Sequence, residues 1–163
     1  MNPALDQTDR RILTYLQHDA RQTTKEIADK INKSVTTVHD RIRKLEDNKV
    51  IRKYVALIDN QVIDKSLIAF TTVQLKEHSL SALNGFEKEV VKFPEVMECY
   101  HLTGQFDFLL KAAIADMNEY HQFLRNKLAT LANIGAVQTY FVLSESKHET
   151  AYNLMTPGGK GKK

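Results

Sequence analysis

Hydrophobic positions along the 163-residue chain follow two rhythms. Over residues 5–47 they recur every three or four positions, as on the buried side of a helix. Ile12, Leu13 and Leu16 mark a first helix within 5–19, and Ile27, Ala28 and Ile31 a second. Val35, Val38, Ile42 and Leu45 mark a third. Short polar residues stand where each helix should start. Asp6 precedes Asp9 by three positions, Thr23 precedes Glu26 with capping-box spacing, and Ser34 opens the third helix. Between the second and third helices lies Asn32-Lys33, and Asn tolerates the left-handed backbone that turns the chain. A helix, a short break and a helix with a polar outer face predict a helix-turn-helix.

After Asn48-Lys49 the rhythm changes. "VIRKYVALID" (50–59) is rich in β-branched and aromatic residues and predicts a strand, serving as a wing or a linker. A polar connection, "NQVIDKS", follows. Strands are then predicted at 67–75, 96–103, 108–115 and 136–144. Helices are predicted at 79–93, with Leu83, Phe86, Val90 and Phe93 buried, and at 116–131, with Met117, Tyr120, Leu124, Leu128 and Leu131 buried. Pro94 stops the first of these helices. The order βαββαβ predicts a ferredoxin-like sandwich with one sheet face under the helices and one open, apolar face. The expected class is therefore α+β, a (winged) helix-turn-helix domain followed by a ferredoxin-like domain. Expected boundaries are 1–58, a linker at 59–66, a second domain at 67–150 and a tail at 151–163. The tail's "TPGGKGKK" is expected to be disordered.

Composition narrows the setting. A 42% hydrophobic fraction supplies a core, and no apolar run approaches the ~18 residues that span a bilayer. The first residues lack the apolar stretch of a secretory signal. The single cysteine, Cys99, forms no internal disulfide and suits a reducing compartment. A soluble cytoplasmic protein is expected, with no membrane partner. The formal charge of +3 is unevenly spread. Residues 21–53 hold ten Lys/Arg against five Asp/Glu, around the turn and the third helix, and three lysines close the chain. Such an excess suits a polyanion, although a solvated bundle surface would show it too.

The chain lacks a P-loop, a GxGxxG, an HExxH and a CxxC. Cys99 and His101 share a strand face, and with His121 could form a soft-metal site. A buried thiol and a hydrogen-bonded imidazole account for the same residues. No catalytic residue, resident metal or cofactor is expected. The rival to DNA binding is an amino-acid-binding ferredoxin-like protein or small enzyme whose helical domain only mediates assembly.

"LDQTDRRILTYLQHDAR", "SVTTVHDRIRKLEDNKVI" and "TGQFDFLL" occur in this order and resemble the Lrp/AsnC (feast/famine) transcription regulators. The likeness extends over residues 5–150. Asp19, Ala20 and Arg21 match the signature ending the family's first helix. Arg41, Ile42, Leu45 and Glu46 match its recognition helix, and Gly104 and Asp107 its Gly-x-x-Asp turn. The resemblance implies promoter DNA as partner, an amino acid or related metabolite as effector, and homodimers that assemble to octamers. There are departures. Asn32-Lys33 replaces Gly and an apolar residue. Lys49 replaces the glycine that ends the recognition helix, so Asn48 is expected to take the special backbone position. Asp64 replaces a linker glycine, and Gln105 an acidic residue.

The DNA-binding candidates are Ser34, Thr36, Thr37, His39, Asp40, Arg41, Arg43 and Lys44. Ser34 should meet a phosphate at the helix N-terminus. Thr36, Thr37 and His39 are placed for base edges, and Arg43 and Lys44 for the backbone. Asp40 either accepts from a cytosine amino group or pairs with Lys44. Arg41 should pack its stem and extend its charge. The effector candidates are Leu102, Thr103, Gly104, Gln105, Asp107 and Tyr140. N–H groups at Gly104 and Gln105 would bind a carboxylate, Asp107 an ammonium group with Thr103 assisting, and Leu102 and Tyr140 would form walls. The same turn also reads as a plain hairpin in which Asp107 satisfies nearby backbone N–H groups.

Overall fold

The structure, a computed structural model, describes residues 4–154. The lysine-rich end expected to be disordered lies outside these residues. The chain divides into two compact units, Met1–Leu57 with Lys147–Lys163, and Ile58–Ser146.

In the first unit three helices form where the capping residues stand: α1 (Gln7–His18), α2 (Thr24–Ile31) and α3 (Val35–Asp47). Asp6 and Asp9 close a reciprocal capping box, as do Thr23 and Glu26, so two otherwise unpaired N–H groups are satisfied at each helix start. Asn32 ends α2 in the left-handed region at φ 54°. The Arg11 guanidinium reaches across from α1 and donates to the carbonyls of Lys30 at 3.1 Å and Ile31 at 3.4 Å. Ile12, Leu13, Ile27, Ala28, Ile31, Val38 and Leu45 make the core. Val35, expected in that core, is the first residue of α3 and stays 46% exposed. The buried stripe therefore begins one turn later, at Val38.

The end of α3 corrects a second expectation. Asn48 has φ −80°, and Lys49 takes the left-handed position at φ 56°. The N–H of Lys49 donates to Glu46 O at 2.8 Å and that of Val50 to Leu45 O at 2.9 Å. This is a Schellman pair, which demands positive φ one residue beyond the cap. Residues 50–59, expected as a strand, join no ladder among the described residues. Val50 and Ile51 pack against the helical core, and residues 52–59 run on as exposed chain. The segment 147–154, divided by expectation between the second domain and the tail, groups with the helical unit.

The second unit contains β1 (Leu67–Leu75), α4 (Leu80–Val90), β2 (Val96–His101), β3 (Phe108–Ile114), α5 (Met117–Asn126), a 3-10 turn (Leu128–Thr130) and β4 (Ile134–Phe141). The sheet is antiparallel with order β2-β3-β1-β4, the expected βαββαβ arrangement. Alternation sends Ala69, Val73 and Leu75 of β1 and Phe108, Leu110 and Ile114 of β3 into a core with Phe86, Val90, Tyr120, Phe123 and Leu128. On α5 the stripe differs from expectation, since Met117 is 56% exposed and Phe123 is buried. Tyr120 turns its hydroxyl onto Thr139 and, at 3.1 Å, onto Thr71, giving three hydroxyls that satisfy one another in the interior. The other sheet face carries cross-strand rows. Register aligns Tyr140, Phe70, Lys111 and Glu98 in one row, and Gln138, Thr72, Leu109 and Tyr100 in the next.

Candidate nucleic-acid interface and effector turn

Ser34 caps α3. Its Oγ accepts the Thr37 N–H at 3.2 Å and lies 2.7 Å from Thr37 Oγ1. Thr36, Thr37, His39, Asp40, Arg43 and Lys44 are all exposed along the same helix. The structure thus gathers hydroxyls at the positive end of the helix dipole and cations one to two turns further on. Asp40 lies 3.5 Å from His39 Nδ1 and is not paired with Lys44 among the described residues.

Arg41 differs from its expected role. Its Nη1 donates to Asp6 Oδ2 at 2.6 Å and Asp9 Oδ1 at 2.8 Å. The other oxygens of the two carboxylates are those that cap α1. One guanidinium nitrogen therefore ties the middle of α3 to the start of α1. Together the Asp9 backbone N–H and then Arg41 hold the Asp6 carboxyl below its usual range, while Asp6 and then Asp9 raise Arg41. Arg41 positions the recognition helix from behind. Tyr54 acts at its far end, donating to Glu46 Oε1 at 2.9 Å. Burial and then Glu46 push the phenol up to about 12. The partners of both residues lie eight or more positions away, so helical periodicity gives no sign of them.

At the sheet end, Gly104 has φ 120°, a conformation that excludes most side chains. Thr103 and Gln105 are exposed. Asp107 is largely buried, and its Oδ2 accepts the Leu75 N–H at 2.7 Å and lies 3.2 Å from His78 Nε2. Its backbone closes the turn, accepting from Leu102 N at 2.8 Å and donating to Val73 O at 2.9 Å. Leu102, Thr103, Gly104, Gln105 and Asp107 are thus gathered at one sheet end. Tyr140 is not with them. It pairs with Phe70, whereas Phe108 pairs with Val73, so Tyr140 sits three rungs away, about 10 Å along the strand. Leu75 and His78 also meet Asp107 at this turn, and only the β1–β3 register brings them there, which no local pattern shows. Cys99 packs against the core, and burial followed by Glu87 raises its thiol to about 11. The His101 ring stacks on Phe108 at 5.0 Å.

A capped, exposed helix in one unit and a four-stranded α+β sandwich in the other define a class, the two-domain regulator with a DNA-binding and a ligand-binding domain. Residues 5–52 match the model of winged helix-turn-helix DNA-binding domains, and residues 68–152 that of the Lrp/AsnC ligand binding domain. The chain belongs to the Lrp/AsnC family and is a DNA-binding transcription regulator of that type. It is 33% identical over 152 residues to the leucine-responsive regulatory protein of Escherichia coli K12, with 93% of each chain covered. A transcriptional regulator of Neisseria meningitidis, solved in complex with L-Met, superposes with a TM-score of 0.88 at 35% identity, covering 93% of this chain and 98% of that one. An AsnC family regulator from Agrobacterium tumefaciens gives 0.87 at 33% identity, covering 92% and 97%. No helix among the described residues is long and apolar enough to cross a membrane.

Proposed function

We propose that this regulator reads promoter DNA with the exposed side of α3 and answers to an amino acid or related metabolite through its sheet unit. It acts in the cytoplasm and catalyses no reaction. The observation that carries the reading is the division of labour on α3. Ser34, Thr36, Thr37, His39, Arg43 and Lys44 face outward, while Arg41 is turned back onto α1. Ser34 meets a phosphate, Thr36, Thr37 and His39 meet base edges, and Arg43 and Lys44 hold the backbone. Mobility shifts with the gene's own upstream region test this. Arg43→Ala should weaken binding on every duplex, Thr37→Ala should change the ranking of sites, and each lost phosphate contact should lower the salt slope by roughly 0.9. A purified protein that ignores the duplex at low salt would refute it.

The effector contacts proposed are the N–H groups of Gly104 and Gln105 for a carboxylate, and Asp107 with Thr103 for an ammonium group. Because the Neisseria relative was solved with L-Met, methionine is the first amino acid to try. A rise in melting temperature that disappears in Asp107→Asn supports the site, and no rise with any of the twenty amino acids removes it. The open sheet face pairs with a second copy, and the resulting dimers assemble to octamers. Phe70→Asp, at the centre of that face, should lower the mass seen by light scattering. An unchanged mass would place the dimer contact elsewhere.

A further inference from the structure

The effector turn lacks the wall expected of Tyr140, and the end of β1 supplies another. The β1–β4 register slips between Gln74 and Leu75, which leaves Gly135 as the extra residue of a bulge. A Cβ on Gly135 would stand 3.0 Å from Gln74 O and 3.2 Å from Lys76 N, so glycine lets the two strands meet this closely. Asn133, at φ 69°, then holds the chain that leaves β1. Its carbonyl accepts the Lys76 N–H at 2.9 Å, its Oδ1 accepts the Glu77 N–H at 2.9 Å, and its Nδ2 donates to Glu77 O at 2.7 Å. From the other side the Asp107 carboxylate takes the Leu75 N–H. Residues 75–77 are thus pinned both from the start of β4 and from the effector turn. His78 comes next, and this pinning sets its Nε2 3.2 Å from Asp107 Oδ2.

An acid and a base therefore stand side by side at this sheet end. The Asp107 side chain is 14% exposed and that of His78 55%. Asp107 Oδ2 carries the Leu75 and His78 contacts, while Oδ1 accepts no hydrogen bond among the described residues. His78 Nδ1 makes none among them either. A free α-amino acid matches this pair, because its ammonium and carboxylate groups sit on one carbon. An amine or a carboxylic acid alone would leave one member of the pair unanswered. Backbone N–H groups at Gly104 and Gln105 would take any carboxylate, but the acid–base pair selects for both charges at once.

We propose that His78, positioned by Asn133, binds the α-carboxylate of the effector while Asp107 binds its ammonium group, so that the site takes a zwitterionic α-amino acid in preference to an amine or a simple carboxylic acid. The proposal rests on the effector reading above. The test titrates the full chain by calorimetry with L-methionine, with methionine's decarboxylated amine and with its des-amino acid. If another of the twenty amino acids raises the melting temperature more, it and its own two analogues take their place. His78→Ala should weaken methionine about tenfold, as expected for one hydrogen bond to a charged group, and leave the amine unchanged. Asp107→Asn should weaken methionine and leave the des-amino acid unchanged. Asn133→Gly keeps the positive φ and removes the side-chain clamp. It should weaken methionine by a smaller factor and again spare the amine. Full methionine affinity in His78→Ala overturns the proposal. A loss that the amine shares equally makes His78 a prop for Asp107 and overturns it too. Full affinity in Asn133→Gly overturns the clamp. If none of the twenty amino acids raises the melting temperature of the full chain, the effector reading itself fails and the proposal falls with it.

Discussion

The two units of this regulator differ in sign and in what holds them together. The helical unit holds 16 Lys/Arg against 9 Asp/Glu, a net +7, while Ile58–Ser146 holds 7 Lys/Arg against 11 Asp/Glu, a net −4. A duplex is attracted to the first and repelled by the second, so charge alone orients the encounter before any base is read. The helical unit adds to its aliphatic core a set of polar ties at helix ends: two capping boxes, the Arg41 bridge, Arg11 on the α2 carbonyls and Gln17 on the Tyr152 backbone. The sheet unit is fastened by interdigitated aromatics, Phe86 on Phe108 at 4.6 Å and Phe93 on Phe123 at 6.0 Å. The sheet unit has ion pairs too, Lys65 with Glu119 and Lys127 with Glu95, but they lie around its aromatic core, whereas the ties of the helical unit hold the ends of the helices themselves.

The largest test of this contrast is Phe108→Ala. Phe108 is fully buried, so the loss should be about 3–5 kcal/mol, falling on the sheet unit alone. Calorimetry should then show two separated transitions, and a single transition shifted downward would break the comparison. Arg41→Gln should cost about 1 kcal/mol, because the bridge is partly open to solvent. The cost should appear in the helical transition, and DNA affinity should fall equally on all sequences. A changed site preference would instead return Arg41 to the base edges. Lys49→Gly should stabilise the helical unit by about 0.5–1 kcal/mol, as glycine occupies positive φ without a Cβ clash. Its urea midpoint reads this directly.

Acid sharpens the contrast further. The Asp9 backbone N–H and then Arg41 depress Asp6, and the Thr23 backbone N–H and then its hydroxyl depress Glu26. A depressed carboxylate contributes stability above its unfolded pKa, near 4, and loses it as pH falls through the lower folded value. Asp6→Asn with Glu26→Gln should flatten the helical unit's acid limb and leave the sheet transition's pH profile alone. The smallest effect concerns Cys99. With its thiol raised to about 11, roughly one in a thousand is ionised at pH 8. Alkylation by iodoacetamide in native buffer should therefore be far slower than in urea.

What the sequence revealed follows the range of the interaction. Asp6, Thr23 and Ser34 cap helices through N–H groups three positions away, so their roles are visible in a short window. The alternation in β1 and β3 is similarly local and gave the sheet. Arg41 looked like a DNA contact because its partners stand 32 and 35 positions upstream. The resemblance implies that Asn48 takes the special backbone position because Lys49 stands where the family has glycine, yet the Schellman pair places positive φ on Lys49 itself. Residues 50–59 have strand chemistry, but a ladder needs a neighbour that no local pattern supplies. In the effector turn, Gly104 and Asp107 were legible as a pair. The engagement of Asp107 with Leu75 and His78, and the distance of Tyr140, depend on strand register.

The return of residues 147–154 to α1, where the Tyr152 backbone exchanges two hydrogen bonds with the Gln17 side chain, also sets an order of completion during synthesis. Leu154, which packs against the helical core, is separated from Leu57 by the whole of Ile58–Ser146. At about 5–20 residues per second, those 89 residues take the ribosome roughly 5 to 20 seconds to add. A nascent chain therefore shows its three helices early but closes them last. The DNA-reading unit receives its final cover only after the ligand-binding unit has been made.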